Sequence, residues 1–116
     1  MKNLWLKIIL LILLLNLNIN AQNKASYYAS NFHGKLTASG IKFNNNLLTC
    51  AHKYLPFGTL LKVTNIKNNK SVLVIVTDRG PFVKNRVIDL SQEAFRKISS
   101  ITQGVCEVII EEILWL

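Results

Sequence analysis

The sequence of 116 residues predicts a mainly β fold, a small closed barrel with one short helix, and three observations carry that expectation. Short runs of β-branched and apolar residues recur after residue 21, each bounded by Gly, Pro or Asn. Two of these runs flank Lys67-Asn68-Asn69-Lys70, which reads as a hairpin turn because Asn tolerates positive φ. Fewer than about 100 residues follow the N-terminal apolar stretch, enough for one core and not for two. Closing short strands on one another removes the exposed edges that an open sheet of this size would leave.

Met1 to Ala21 reads as an export signal. Lys2 and Lys7 supply a positive start, Ile8 to Leu15 an unbroken apolar core, and Ile19-Asn20-Ala21 a small residue at a cleavage point. A membrane span needs roughly 20 predominantly apolar residues, and Asn16, Asn18 and Asn20 interrupt this run too early. The expectation is therefore a signal at 1–21, a single domain over 22–116, and no stable membrane span after cleavage. No cysteine stands at the cleavage point to carry a lipid.

Along the remainder, strands are expected near Ala25 to Ser30, Gly34 to Ala38, Thr49 to His52, Thr59 to Ile66, Ser71 to Thr77, Val87 to Asp89 and Val105 to Leu114. One helix is expected after Ser91. Ser91 supplies its N-cap, Gln92 and Glu93 suit the first turn, and Ala94, Phe95 and Ile98 form its apolar contacts. Glu107, Glu111 and Glu112 interrupt the apolar C-terminal run, which favours a closing barrel strand over a membrane or partner patch.

The formal net charge is +8. Lys2 and Lys7 fall within the expected signal and all six acids lie after it, leaving about +6 on the exported part. A basic exported domain is drawn to a polyanion such as cell-wall carboxylates; with no nucleic-acid motif visible, nucleic acid is not an expected partner. Cys50 and Cys106 are the only cysteines. A disulfide between them ranks first, since export permits one, two buried free thiols second, and a thiol nucleophile beside His52 last. His33 and His52 stand in different contexts without Cys-x-x-Cys or His-x-x-x-His spacing, so neither a metal site nor a cofactor is expected.

The richest segment is Val74-Ile75-Val76-Thr77-Asp78-Arg79-Gly80-Pro81-Phe82, an apolar strand running into an acid, a base and a breaker. The strand fixes Asp78 while Gly80 and Pro81 turn the backbone away, so the carboxylate is expected at a rim rather than in a core. Upstream, Leu48-Thr49-Cys50-Ala51-His52-Lys53-Tyr54-Leu55-Pro56-Phe57-Gly58-Thr59 delivers His52 and turns into another strand. Structural roles compete: Asp78 bracing its turn through Arg79, His52 anchoring a loop, and Asp89 serving as a structural acid before the helix cap.

Those two segments, with Lys24-Ala25-Ser26-Tyr27-Tyr28, Phe32-His33-Gly34, Leu36-Thr37-Ala38-Ser39-Gly40, Val63-Thr64-Asn65 and Arg86-Val87-Ile88-Asp89-Leu90-Ser91, resemble the rare lipoprotein A family. Its members are secreted, lytic transglycosylase-like double-psi β-barrels that act on bacterial peptidoglycan. The resemblance implies a six-stranded double-psi barrel in the periplasm or cell envelope, with peptidoglycan glycan strands as its partner. It implies that Asp78 acts as acid then base, cleaving the strands to 1,6-anhydro ends, with His52 in the same cleft. Tyr28, Lys53 and Arg79 are then expected saccharide or stem-peptide contacts in a monomer. The sequence departs from the family after Ser39-Gly40, where Ile41-Lys42-Phe43-Asn44 lacks acids at 41 and 44. A wall-binding, expansin-like module without catalysis is therefore the alternative, and an inhibitor or cell-surface partner protein reusing the barrel a third reading.

Overall fold

The computed structural model describes residues 3–9 and 23–114. Residues 3–9 form a helical segment, α1, with exposed side chains. The remainder of the expected export signal, its cleavage point and Gln22 lie outside the described residues. Among the described residues no helix is long and apolar enough to cross a membrane.

Six strands close into a barrel: β1 (Lys24–Tyr27), β2 (Thr49–His52), β3 (Leu60–Asn65), β4 (Ser71–Asp78), β5 (Arg86–Leu90) and β6 (Cys106–Glu112). Their order around the barrel is β1-β5-β2-β4-β3-β6. The pairs β1·β5 and β2·β4 are parallel and the others antiparallel. Period-two alternation builds the wall: along β4, Val72, Val74 and Val76 point inward while Leu73 and Ile75 remain half exposed. Leu61, Val63, Ile88, Leu90 and Val108 fill the interior from the other strands. The expected hairpin joins β3 to β4, with Asn69 at φ 60 donating its N–H to Asn65 O at 2.8 Å.

Helix α2 (Gln92–Ile98) closes one end, burying Ala94, Phe95 and Ile98. Ser91 caps it as expected, its Oγ accepting from Ala94 N at 3.2 Å and donating to Leu47 O at 2.5 Å. At the other terminus Asn65 Nδ2 donates to Ile98 O at 2.8 Å, satisfying a carbonyl that the helix leaves unpaired.

Three expectations are corrected. Gly34 to Ala38 is no ladder strand: it makes one bridge, Leu36 with Lys42, inside a loop turned by Gly34 and Gly40 at φ 86 and 89. The loop satisfies its own polar groups, Thr37 donating to Ile41 O through both N–H, at 2.9 Å, and Oγ1, at 2.6 Å. The first strand ends at Tyr27, before a 3-10 turn at Ser30–Phe32, and the last ends at Glu112.

The Cys50–Cys106 bridge is the third: both residues are free and buried in the same core cluster. β2 and β6 are diametrically opposite in the ring of six. At about 4.8 Å between neighbouring strands, opposite walls stand at least about 10 Å apart, beyond the roughly 7 Å between Cα atoms that a disulfide spans. Burial pushes the Cys50 thiol up to about 12, with Asp89 adding to the rise, and the Cys106 thiol up to about 11. Neither is a nucleophile near neutral pH. Thiol labelling of unreduced, denatured protein should therefore modify both cysteines quantitatively, even in material from an oxidising compartment; an unlabelled pair would contradict the geometry.

Candidate functional site

Asp78 ends β4 where Gly80, at φ 126, turns the chain. Three donors hold its carboxylate. Tyr28 Oη gives a 2.6 Å bond to Oδ2, while Ala38 N and Arg79 N reach Oδ1 at 2.8 and 2.9 Å. A carboxylate, acceptor at both oxygens, satisfies all three. Tyr28 is stacked on Phe43 at 4.1 Å between centroids and meets Phe32 edge-on at 5.7 Å. Burial, followed by the hydrogen bond to Asp78, pushes its phenol far above the usual range, so it is a fixed proton donor in this contact. Tyr28 thus lines the cleft, and its hydroxyl is committed to Asp78.

The register places a second acid beside the first. Ala51 of β2 is the partner of Asp78 on β4 and of Asp89 on β5, and Asp89 is in turn the partner of Ser26 on β1. Asp78, Ala51, Asp89 and Ser26 therefore form one row across four strands, and Ala51, between the two acids, is buried in a cluster with Tyr28 and Phe43. Ser26 Oγ donates a short hydrogen bond to Asp89 Oδ1. Burial raises the Asp89 carboxyl above its ordinary value, and the charge of Asp78 adds to the rise; Ser26 and Arg86 oppose it. Asp78 and Asp89 line a cavity of about 590 Å³ whose rim carries Phe32, Phe82 and Val83. Phe82 is 86% exposed, and a Cβ placed on Gly80 would lie 3.5 Å from its ring. The ring therefore has its edge against backbone and its bulk in solvent.

His52 does not share this cleft. It lines a separate cavity of about 250 Å³ with Lys53, Tyr54, Asn85 and Arg86. Its Nδ1 accepts from Tyr54 N at 3.3 Å and Leu55 N at 3.2 Å, which leaves Nε2 to carry the proton. Burial lowers its pKa, helped by the charges of Arg79 and Lys53. Lys53 lies with His52, away from the acids. Arg79 borders the acid cleft, but its Nη1 donates to His52 O at 3.2 Å and Leu55 O at 2.8 Å, and its guanidinium lies 4.0 Å over the Phe57 ring. It braces the turn after β2, and neither Asp78 nor Asp89 is its ion-pair partner among the described residues.

Ile41 and Asn44, where acids were looked for, lie outside the wall of the cleft. Ile41 is 59% exposed and Asn44 Oδ1 accepts from Asn46 N at 2.8 Å. Sequence reasoning took Asp89 as a structural acid; the ladder places it on one row with Asp78 across Ala51, and both line the same cavity. Among the described residues no cluster of His, Cys, Asp and Glu is arranged to hold a metal ion.

Comparison with known proteins places this geometry. The sequence profile of the lytic transglycolase family matches residues 20–110. An endolytic peptidoglycan transglycosylase RlpA of Campylobacter jejuni is 53% identical over 93 residues, covering 80% of this chain and 34% of the relative. Its counterpart from Rickettsia prowazekii is 57% identical over 90 residues, covering 75% of this chain and 28% of the relative. The chain thus spans about a third of the length of the curated relatives it matches. Among solved structures, a Streptomyces papain inhibitor superposes with a TM-score of 0.64 at 24% identity, over 78% of this chain and 91% of that one. A Clavibacter michiganensis expansin, in a mutant form complexed with cellohexaose, gives 0.63 at 20% identity, over 79% of this chain and 49% of that one. The barrel is of the double-psi kind, as the resemblance implied.

His52→Ala removes the acceptor of two turn N–H groups, so it should lower stability by about 1–3 kcal/mol in denaturant unfolding. Because folding lowers the pKa of His52 below 6.5, its contribution is complete above that value and is lost as pH falls through the folded pKa. The gap in stability between wild type and His52→Ala should therefore narrow on acidification. A variant as stable as wild type at pH 8 would remove the structural assignment.

Proposed function

The chain belongs to the lytic transglycolase family, and from that membership we propose that it is an exported, monomeric domain of the cell envelope that cleaves peptidoglycan glycan strands endolytically to 1,6-anhydro ends. The observation that supports this most is the pair of carboxyls at Asp78 and Asp89, set two strands apart across Ala51 in one cleft. Cleavage without water needs a proton for the glycosidic oxygen, and then removal of one from the C6 hydroxyl that attacks the anomeric carbon. The C1–O4 bond breaks and a C1–O6 bond forms within the same sugar. Proton count balances if one carboxyl gives the first proton and takes the second.

The family resemblance implied Asp78 for that role; the surroundings of the two acids support Asp89 instead. Burial and its neighbour's charge keep Asp89 protonated to higher pH, which suits a general acid. Asp78 is fully engaged by Tyr28, Ala38 and Arg79, and serves as the fixed negative charge facing the positive anomeric centre. Exposed Phe82 offers an apolar face for a sugar ring at the rim. His52 holds the turn that carries Lys53 and Tyr54 into the neighbouring cavity, where the strand continues.

A non-cleaving wall-binding module is the second reading, favoured by the absence of acids at Ile41 and Asn44. Incubating the protein with stem-denuded glycan strands and analysing the products by mass spectrometry separates the two. Anhydromuramyl ends support cleavage; retention on strands that stay intact supports the module.

Asp89→Asn should reduce cleavage by about a hundredfold or more, since the amide keeps the Ser26 hydrogen bond but has no proton to give. Folding raises the Asp89 pKa above 3.8, so its favourable contribution is complete below that value and is lost as pH rises through the folded pKa. Asp89→Asn should accordingly melt no lower than wild type at neutral pH. Asp78→Asn loses cleavage too, but also weakens three contacts, at a cost of roughly 1–3 kcal/mol. Wild-type cleavage by Asp89→Asn would return the proton to Asp78.

A further inference from the structure

Arg86 opens β5 and stands between the two cavities, lining the acid cleft on one side and the His52 pocket on the other. It is half-buried. Among the described residues its guanidinium donates no hydrogen bond, and the only ion pairs are those of Glu93 with Arg96 and Lys97. Asp89, whose charged form Arg86 favours, is not within ion-pair distance and has Ser26 on its Oδ1. The contrast with Arg79 is instructive, since that guanidinium is spent on two carbonyls and an aromatic face. Among the described residues no buried side-chain nitrogen or oxygen lacks a partner, so the unpaired N–H groups of this guanidinium face solvent between the two cavities, open to an anion. Lys24, opposite Arg86 in the β1·β5 register, and Lys53, in the same pocket, make its surroundings positive.

A neutral polysaccharide makes no use of such a group. Peptidoglycan does, because every second sugar bears a lactyl ether ending in a carboxyl, either free or extended by a peptide with carboxylates of its own. We propose that Arg86 is the receptor for this sugar-borne carboxylate, gripping it at the junction of the two cavities and so setting which sugar lies over Asp89. This rests on the peptidoglycan reading above. The planar fork of the guanidinium meets a carboxylate through two parallel hydrogen bonds, which fixes register as well as adding affinity. Recognition by charge also accounts for how a cleft with two acids accepts an anionic polymer: the substituent is held on the cationic wall, away from Asp78 and Asp89.

The test measures binding of the full chain to three preparations of the same glycan: strands freed of stem peptides, those strands with their carboxyls converted to neutral methylamides, and strands retaining their stems. Wild type should bind denuded or stem-bearing strands about tenfold or more tightly than the amidated ones, a preference that falls with added salt. Tighter binding of denuded strands identifies the lactyl carboxylate as the ligand, tighter binding of stem-bearing strands a peptide carboxylate. Arg86→Gln should bring the affinities for charged and neutral strands within about twofold, and Arg86→Lys should restore part of the difference. The ratio, rather than the overall affinity, is the readout, because Arg86 also influences Asp89. A tenfold preference retained by Arg86→Gln, or a wild type that binds charged and neutral strands alike, overturns the assignment. A wild type that binds no strand in any form overturns the peptidoglycan reading, and this inference with it.

Discussion

The Asp78 carboxylate ties together three parts of the chain that are distant in sequence. Its bonds reach the end of β1 through Tyr28, the loop over residues 34–43 through Ala38, and its own turn through Arg79. Each partner brings further structure. Tyr28 carries the stack on Phe43, and Phe43 in turn exchanges backbone hydrogen bonds with Gly34 and Lys35, which folds the loop onto the barrel. Arg79 carries the brace to the turn after β2. Charge-assisted bonds of this kind are stronger than neutral ones, and a partly buried cluster leaves water few openings to compete. One side of the cleft is in this sense organised around a single anion.

The other side depends on strand order. Asp89 is half-buried because β5 runs between β1 and β2, and it lines the same cavity as Asp78 because β2, the one strand between them, matches both acids at Ala51. A larger side chain at 51 would disturb the stacked pair of Tyr28 and Phe43 buried with it. The two acids differ in their surroundings: one carboxyl is saturated with donors, the other desolvated and held by a single hydroxyl.

Local features of the fold were legible in the sequence, and distant pairings were not. Helix α2 announced itself through the Ser91 cap and the Glu93 first turn, and the β3–β4 hairpin through adjacent asparagines, because both signals act within a few residues. Asp78 at a strand end beside Gly80 and Pro81 was legible for the same reason. The Gly34 to Ala38 segment misled because a loop closed by its own hydrogen bonds carries the same residue types as a short strand. Whether Cys50 faces Cys106, whether His52 opens beside Asp78, and what Arg79 grasps all depend on which strands become neighbours. Hydrophobic periodicity is silent on that, and the family resemblance supplied the barrel without the orientation of each side chain. The surroundings of Asp89 are another case: next to a helix cap it reads as local bracing, and its burial is visible only across β1, β5 and β2.

The placement of β1 has a consequence for how the chain matures. Both of its edges are covered by late segments, β5 on one side and β6 on the other, so the first strand of the barrel has no partner until β5 has been made, and the ring cannot close until β6 follows. Such long-range closure is intrinsically slow and cannot proceed on a nascent chain. The ring therefore stays open during synthesis and locks only once residues 106–112 are free to pair with β1 on one side and β3 on the other.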